Sequence, residues 1–125
     1  MVSNELLVQK IRQLMPKAKL VYLFGSQADG SATLTSDIDI AVLLDQKIDP
    51  VIRFDLQQTL AINLKQDVDL VDLLSASTVL QNQVITHGEC LYDGTAEQFK
   101  FEMQVMSMYQ HLNEERAEIL QDYMK

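Results

Sequence analysis

Apolar and polar residues follow two different periods along this chain, one typical of helices and one typical of strands. Apolar residues that recur every three or four positions predict helices, whereas short apolar runs between turn residues predict largely buried strands. The helical pattern covers four segments, at about 4–15, 50–65, 75–87 and 95–124. The strand pattern covers 19–25, 36–44, 67–74 and a short segment around 90–92.

Residues with capping preferences mark the ends of several predicted helices. Ser3 is placed to cap the first helix, and Asp49 followed by Pro50 combines an N-cap with a proline at the first helical position. Gly88 is expected to end the third helix. In the sequence TAEQ, which begins at Thr95, we expect a capping box at the start of the last helix.

The order of these elements predicts a mixed α/β (α+β) fold, with a small mixed β-sheet flanked by helices and a long C-terminal helix. A length of 125 residues favours a single domain over 1–125, with a core at about 5–94 and the final helix at about 95–124. That helix carries more apolar residues than one packed face requires. Either it has a wide core face, or its methionines form a surface for a partner.

Charge and cysteine content narrow the classes of function. The chain has 18 acidic and 10 basic residues, for a net charge of −8, and the basic residues are scattered. Nucleic-acid binding normally requires a basic patch, so we expect no direct nucleic-acid binding. Cys90 is the single cysteine, and no segment reaches about 18 consecutive apolar residues. These features favour a cytoplasmic protein that is not inserted in a membrane.

Two aspartates lie in the most apolar part of the chain, within FGSQADGSATLTSDIDIAVLL at 24–44. Residues i and i+2 of a strand point to the same face, so Asp37 and Asp39 project together, about 6–7 Å apart along the strand. Carboxylates this close repel each other and lose hydration unless a cation neutralises them. Mg²⁺ is suited to this role because it binds one or two carboxylates and keeps water and phosphate oxygens as its other ligands.

A third carboxylate comes from the predicted strand at 67–74. If this strand pairs with the strand that carries Asp37 and Asp39, Asp69 joins them on one face of the sheet. Three converging carboxylates are suited to two metal ions. Asp37, Asp39 and Asp69 are therefore the candidate metal ligands and catalytic residues.

Other titratable residues give weaker signals. Asp67 and Asp72 compete with Asp69 for the third position, but Asp67 lies at the very start of the strand and Asp72 has the opposite strand parity. His87 and His111 are on different elements and lack the spacing of metal ligands. We interpret both histidines as surface or capping residues.

Gly25 and Ser26 end the first predicted strand, just ahead of the aspartates. Glycine permits close approach of a ligand to the backbone, and N–H groups in such a turn, with the serine hydroxyl, bind phosphate oxygens. Beside a metal-binding strand, the pair can hold the triphosphate of a nucleotide. The reaction suited to this arrangement is attack of a hydroxyl on the α-phosphorus, with pyrophosphate leaving.

These residues give the chain a resemblance to a known family. Gly25-Ser26, ten intervening residues and Asp37-Ile38-Asp39 match the G-S-x10-D-x-D signature of the minimal nucleotidyltransferases in the DNA polymerase β-like superfamily. The likeness continues through VDLVDLL and ITHGECLYDG and covers about residues 5–94. The chain most resembles the antitoxin branch of this family, whose members accompany HEPN-type RNase toxins.

The resemblance implies a polymerase β-like fold and transfer of AMP from ATP, with two Mg²⁺ ions, to a tyrosine hydroxyl of a cognate HEPN toxin. Pyrophosphate would be released and the toxin neutralised. In this family Asp37 and Asp39 correspond to metal ligands and Asp69 to the third carboxylate. Gly25 and Ser26 correspond to the triphosphate contacts.

One departure from the family affects the nucleotide site. Relatives often carry Arg or Lys in the turn after Gly-Ser, whereas this chain has Gln, Ala and Asp at 27–29. Triphosphate binding would then depend on the metal ions, or on Lys65 or Arg53. The chain also lacks the added substrate domain of larger relatives, which favours a protein acceptor bound partly by the last helix.

Two other functions are compatible with the sequence. The first is nucleotidyl transfer to a small molecule such as an aminoglycoside. The second is an antitoxin that acts only by binding and occluding its toxin, for which the apolar last helix provides a surface.

Overall fold

A computed structural model of the chain describes residues 2–25 and 37–123. Within these ranges the order of helices and strands agrees with the order predicted from the sequence. The helices are α1 (Asn4–Leu14), α2 (Pro50–Leu64), α3 (Thr78–His87) and α4 (Gln98–Tyr123). The strands are β1 (Leu20–Phe24), β2 (Ile38–Leu43), β3 (Val68–Asp72) and β4 (Glu89–Asp93).

The described strands form one mixed sheet in the order β3-β2-β1-β4. β1 is antiparallel to both β2 and β4, whereas β2 and β3 are parallel. The parallel pair requires a crossover, which α2 provides between the two strands. The predicted small mixed sheet is therefore confirmed, as is the pairing of the two aspartate-bearing strands.

Each face of the sheet is covered by two helices, because the strand residues alternate between two apolar cores. Ile38, Ile40 and Val42 of β2 belong to the core that also contains buried residues of α1 and α2. Ala41 and Leu43 belong to the core beneath α3 and α4. Asp39 has the parity of Ala41, so its side chain is on the α3/α4 face of the sheet.

The predicted starts of α1 and α2 are confirmed by side-chain hydrogen bonds. The Ser3 hydroxyl accepts a hydrogen bond from the Leu6 N–H at 3.1 Å, and the Asp49 carboxylate accepts one from the Val51 N–H at 2.9 Å. Ser77 caps α3 in the same way. Each bond satisfies a backbone donor that the first turn of a helix leaves without a partner.

The predicted capping box at Thr95 is wrong. α4 begins at Gln98, and its first N–H groups are satisfied by the carboxylate of Asp93, which accepts hydrogen bonds from Glu97 at 2.9 Å and Gln98 at 3.1 Å. These contacts lower the pKa of Asp93, although partial desolvation opposes them. The last residue of β4 thus fixes the start of the terminal helix.

Gly88 is the C-cap of α3, as predicted, but its conformation is extended (φ −89°, ψ 177°). A side chain here would meet the Val84 carbonyl oxygen and, at 2.9 Å, the Leu23 carbonyl oxygen. The glycine is needed because the end of α3 approaches β1 closely, rather than because the helix ends in a left-handed turn.

The terminal helix has a narrow core face. Its buried residues are Phe101 and Val105, and the Tyr22 hydroxyl donates a hydrogen bond to Glu102 at 3.0 Å. Phe99 is 78% exposed and Met103 is 50% exposed. The wide core face is therefore contradicted, and most apolar residues of α4 face solvent. None of the helices in the described ranges is long and apolar enough to cross a membrane.

Candidate active site

The structure brings the predicted aspartates together at one end of the sheet. Asp39 and Asp69 are direct partners in the parallel register of β2 and β3. Since paired residues share a face, both side chains are on the α3/α4 face. Asp37 is exposed and precedes β2 with the same parity as Asp39. The expected pairing of Asp39 with Asp69 is thus observed, and Asp37 is near enough for its charge to act on Asp39.

The electrostatics of Asp39 show that these carboxylates influence one another. Partial burial raises the pKa of Asp39, and the negative charges of Asp69 and Asp37 raise it further. Both effects disfavour the charged form of the group. A cation bound between the carboxylates would reverse this effect, as expected for ligands of a metal ion.

Gly25 lies against the carboxylate of Asp39. Its φ of 71° is in the left-handed region, and a Cβ at this position would overlap the Oδ2 atom of Asp39. Only glycine satisfies both requirements without strain. Phe24, the preceding residue, is the register partner of Asp39 on β1. The group that approaches the Gly25 backbone closely is thus the carboxylate of Asp39, and the approach of a ligand stays a prediction.

Ser26 and the turn residues at 27–29 lie outside the described residues. The proposed contact of Ser26 with a triphosphate stays a prediction from the sequence.

Asp72 has a structural role, as its strand parity indicated. Its side chain is 3% exposed and accepts hydrogen bonds from the Ile48 N–H at 2.8 Å, the Leu74 N–H at 3.1 Å and the Ser75 hydroxyl at 2.8 Å. It therefore joins the end of β3 to the segment that precedes α2. Asp67 lies immediately before β3, with an exposed side chain and a carbonyl group that accepts the Ile38 N–H at 2.9 Å.

Arg53, a candidate for triphosphate binding, contacts the backbone of β3. Its guanidinium donates a hydrogen bond to the carbonyl of Leu70 at 2.9 Å, and Gln57 accepts the Leu70 N–H at 2.9 Å. The two side chains reach from α2 to the outer edge of β3, which is the terminal strand of the sheet. Lys65 is exposed and follows α2 directly, ahead of the start of β3.

The described residues provide carboxylate oxygens, which are suitable ligands for Mg²⁺, but they do not provide a complete set of ligands. Over residues 2–25 and 37–123, no three His, Cys, Asp or Glu side chains form a group that could by itself hold a metal ion. Mg²⁺ needs few protein ligands, because it retains water and binds substrate phosphates. Asp39 and Asp69, with Asp37 alongside, are suited to that incomplete coordination.

The backbone of Lys65 is a feature that the sequence patterns did not reveal. Lys65 has a φ of 55° and ψ of 38°, a left-handed conformation at the end of α2 where glycine is the usual residue. The sequence does contain one indication of this conformation. No glycine stands between the predicted helix at 50–65 and the next strand, so another residue has to adopt the left-handed conformation that ends the helix.

The fold and the paired aspartates define a nucleotidyltransferase. The family model described as Polymerase beta, Nucleotidyltransferase matches residues 7–97, and the chain belongs to this family.

Individual relatives agree with this assignment. The protein adenylyltransferase MntA of Shewanella oneidensis is 47% identical over 123 residues, which cover 98% of this chain and 88% of the relative. A crystal structure of a toxin–antitoxin with AMP-PNP contains a chain with 44% identity and a TM-score of 0.88, with coverage of 99% of this chain and 100% of that one.

A second structure shows a tri-AMPylated Shewanella oneidensis HEPN toxin in complex with MNT antitoxin. The matching chain is 43% identical with a TM-score of 0.80, and the match covers 98% of this chain and 96% of that one. The likeness to an antitoxin branch inferred from the sequence is thus confirmed.

Proposed function

We propose that this protein is an antitoxin that transfers AMP from ATP to a tyrosine hydroxyl of its cognate HEPN RNase toxin. The observation that carries the proposal is the register pairing of Asp39 with Asp69 beside Gly25. The similarity to MntA and to chains of complexes with AMP-PNP and an AMPylated HEPN toxin supports it. These relatives favour a protein acceptor over a small molecule such as an aminoglycoside.

Asp37, Asp39 and Asp69 would hold two Mg²⁺ ions, which when bound neutralise phosphate charge and acidify the attacking hydroxyl. Gly25 leaves room for the carboxylate of Asp39 against the backbone, and Ser26 would donate a hydrogen bond to the nucleotide phosphates. Asp69 orients the acceptor hydroxyl and accepts its proton. We place the reaction in the cytoplasm, where ATP is available and the free thiol of Cys90 stays reduced.

The exposed face of α4 gives the toxin a place to bind. Phe99, Met103 and Met106 recur at i, i+4 and i+7, so they share one face of the helix and line a groove of about 420 Å³. Methionines adapt their shape to an apolar partner. A toxin bound to this face of α4 would stay close to the active site during the reaction.

The test is incubation of the purified chain with Mg²⁺, labelled ATP and the cognate HEPN toxin. We expect label on the toxin, with a mass increase of whole AMP groups. Asp39→Asn should abolish labelling, whereas Asp55→Asn, which changes an exposed aspartate of α2 in the same way, should leave it unchanged. Labelling that survives in the Asp39 variant would contradict the proposed role of the site.

The apolar surface of α4 also supports neutralisation by binding alone. This alternative predicts that a variant with both Asp37→Ala and Asp39→Ala still protects cells from the toxin. Under the adenylylation proposal, the same variant forms a complex with the toxin but fails to protect.

A further inference from the structure

We propose that the groove on α4 recognises an arginine of the HEPN toxin, whose guanidinium binds Glu102 while neighbouring apolar side chains of the toxin cover Phe99, Met103 and Met106. The inference rests on the proposed function, since it takes the toxin as the occupant of this groove. It goes further by stating the chemistry that the toxin surface carries. Glu102 is thereby a residue of partner recognition and takes no part in AMP transfer.

The carboxylate of Glu102 lines the groove together with the apolar side chains. Glu102 follows Phe99 by three positions and precedes Met106 by four, and residues at these spacings are neighbours on the surface of a helix. Glu102 is partly buried, whereas Phe99 and Met103 are well exposed. An acidic group therefore interrupts a mainly apolar surface.

A hydrogen bond from the sheet holds this carboxylate in place. The hydroxyl of Tyr22, a residue that is 1% exposed, donates to Glu102 Oε2 at 3.0 Å, and the Tyr22 ring lies 6.5 Å from the ring of Phe101. Burial raises the pKa of Tyr22 and the hydrogen bond to Glu102 raises it further, so the hydroxyl stays protonated and remains a donor. Tyr22 thus binds one carboxylate oxygen, and the other can accept a hydrogen bond from a partner.

The part of the chain that the structure describes places no Lys or Arg side chain in this groove. Apart from Glu102, the polar residues that line it are Asp93 and Gln98. Lys19 and Lys100 line a separate pocket. The groove therefore combines apolar side chains with negative charge, and a positive charge has to come from the partner.

A partner that covers the groove removes water from Glu102. Loss of hydration is strongly unfavourable for a carboxylate without a cation, and one hydrogen bond from a neutral hydroxyl compensates only part of it. A purely apolar toxin surface would therefore bind poorly, even though it matched the methionines. A cation placed on Glu102 removes this penalty and adds a charge-assisted hydrogen bond.

Arginine suits the groove better than lysine. Its guanidinium is planar and less strongly hydrated than an ammonium group, so it loses less on entry into a partly apolar site. Guanidinium groups also stack on aromatic rings, and the ring of Phe99 is exposed at the groove. We therefore expect an arginine flanked by apolar residues on the toxin.

The experiment measures the affinity of the unmodified cognate toxin by calorimetric titration without ATP, so that no AMP is transferred. Wild type is compared with Glu102→Gln, which removes the charge but keeps an oxygen that can accept the Tyr22 hydroxyl, and with Glu102→Asp, which keeps the charge. Glu5→Gln is the control, since it removes one exposed negative charge from α1, on the other face of the sheet.

We expect Glu102→Gln to raise the Kd for toxin about tenfold or more, the effect of losing one charge-assisted hydrogen bond. Glu102→Asp should retain more affinity, and Glu5→Gln should leave the Kd unchanged. Glu102→Gln should keep the wild-type melting temperature, whereas Glu102→Ala should lower it because the buried Tyr22 hydroxyl loses its acceptor. If Glu102 serves only to bind Tyr22, Glu102→Gln will bind toxin as tightly as wild type, which would overturn the inference.

A double-mutant cycle identifies the cation on the toxin. Each exposed arginine and lysine of the toxin is changed to alanine, and each toxin variant is titrated with wild type and with Glu102→Gln. One arginine variant should lose about tenfold or more in affinity for wild type and little for Glu102→Gln, because its partner is already absent there. Equal losses with both proteins at every position, or coupling to a lysine, would contradict the assignment of an arginine.

AMP transfer is measured on the same proteins at saturating toxin, where Glu102→Gln should match wild type. A wild-type chain that binds toxin but transfers no AMP would contradict the proposed reaction and not the role of Glu102. Equal affinities of wild type and Glu102→Gln, with AMP transfer intact in both, would contradict only the role of Glu102.

Discussion

Asp39 and Asp69 are register partners across the parallel strands β2 and β3 and share one face of the sheet. The partial burial of Asp39, added to repulsion from the negative charge of Asp69, raises the pKa of Asp39. The pair is thus unfavourable for the metal-free protein and favourable for binding a cation. This opposition between stability and function gives the first prediction.

We expect Asp39→Asn to abolish AMP transfer and to stabilise the metal-free protein. The gain should be within about 1 kcal/mol, because the carboxylate keeps much of its contact with water. Denaturant unfolding without Mg²⁺, followed by circular dichroism, measures it. Addition of Mg²⁺ and AMP-PNP should stabilise wild type but not the variant. A variant less stable than wild type in EDTA would contradict this view of Asp39.

The same pair predicts a dependence of stability on pH. The folded protein holds the Asp39 proton more tightly than the unfolded chain, so the contribution of Asp39 to stability declines as pH rises from the ordinary carboxyl range through its raised pKa. Asp39→Asn should remove this decline. Unfolding curves of both proteins between about pH 4 and 7, without metal, test it. A stability difference that does not change with pH would contradict it.

Gly25→Ala should damage both the fold and the reaction. The left-handed φ of Gly25 disfavours any side chain, and a Cβ would overlap the carboxylate of Asp39. We expect a loss of roughly 1–3 kcal/mol in the free energy of unfolding. AMP transfer, assayed well below the melting temperature, should fall to the level of Asp39→Asn. Transfer at the wild-type rate would show that Gly25 does not shape the site.

Asp69→Ala and Asp72→Ala should have opposite effects although the residues share a strand. Loss of Asp72 leaves the N–H groups of Ile48 and Leu74 without their acceptor, which should cost roughly 2–4 kcal/mol of stability. Below its lower melting temperature this variant should retain AMP transfer. Asp69→Ala should change stability little and abolish transfer. The reverse pattern would make Asp72 the third carboxylate of the site.

The exposed face of α4 should contribute to toxin binding without contributing to the fold. A variant with both Met103→Gln and Met106→Gln should keep the wild-type melting temperature and raise the KM for toxin about tenfold, since each loses burial of a methionine against the partner. Phe101→Ala is the contrasting variant, because this ring is 8% exposed. It should cost about 3 kcal/mol of stability. An unchanged KM for toxin in the methionine variant would exclude this face.

Local patterns in the sequence were sufficient for most of the fold and for the aspartates of the site. Alternation in two strands placed Asp37, Asp39 and Asp69 on one face once those strands paired, and capping preferences located Ser3 and Asp49. Such patterns act over a few residues, which is the range at which caps and strand parity operate.

The errors involve contacts that local patterns do not record. Asp93 replaces Thr95 as the cap of α4 because the end of β4 folds back onto the helix. The sequence could not decide between a wide core face and an exposed surface for α4, because periodicity reports apolar content, whereas the structure shows Phe101 and Val105 as its buried residues. The hydrogen bond of Arg53 to the backbone of Leu70 is a further contact that the sequence pattern did not indicate.

The contacts of Arg53 and Gln57 with Leu70 also bear on how a partner can associate. An edge strand with free N–H and C=O groups invites a second chain to extend the sheet, which leads to strand exchange or aggregation. At the middle of β3, both backbone groups of Leu70 are already bonded by side chains of α2. A partner is therefore not recruited there by strand addition. The β3 edge of the sheet can therefore stay exposed without becoming a template for self-association.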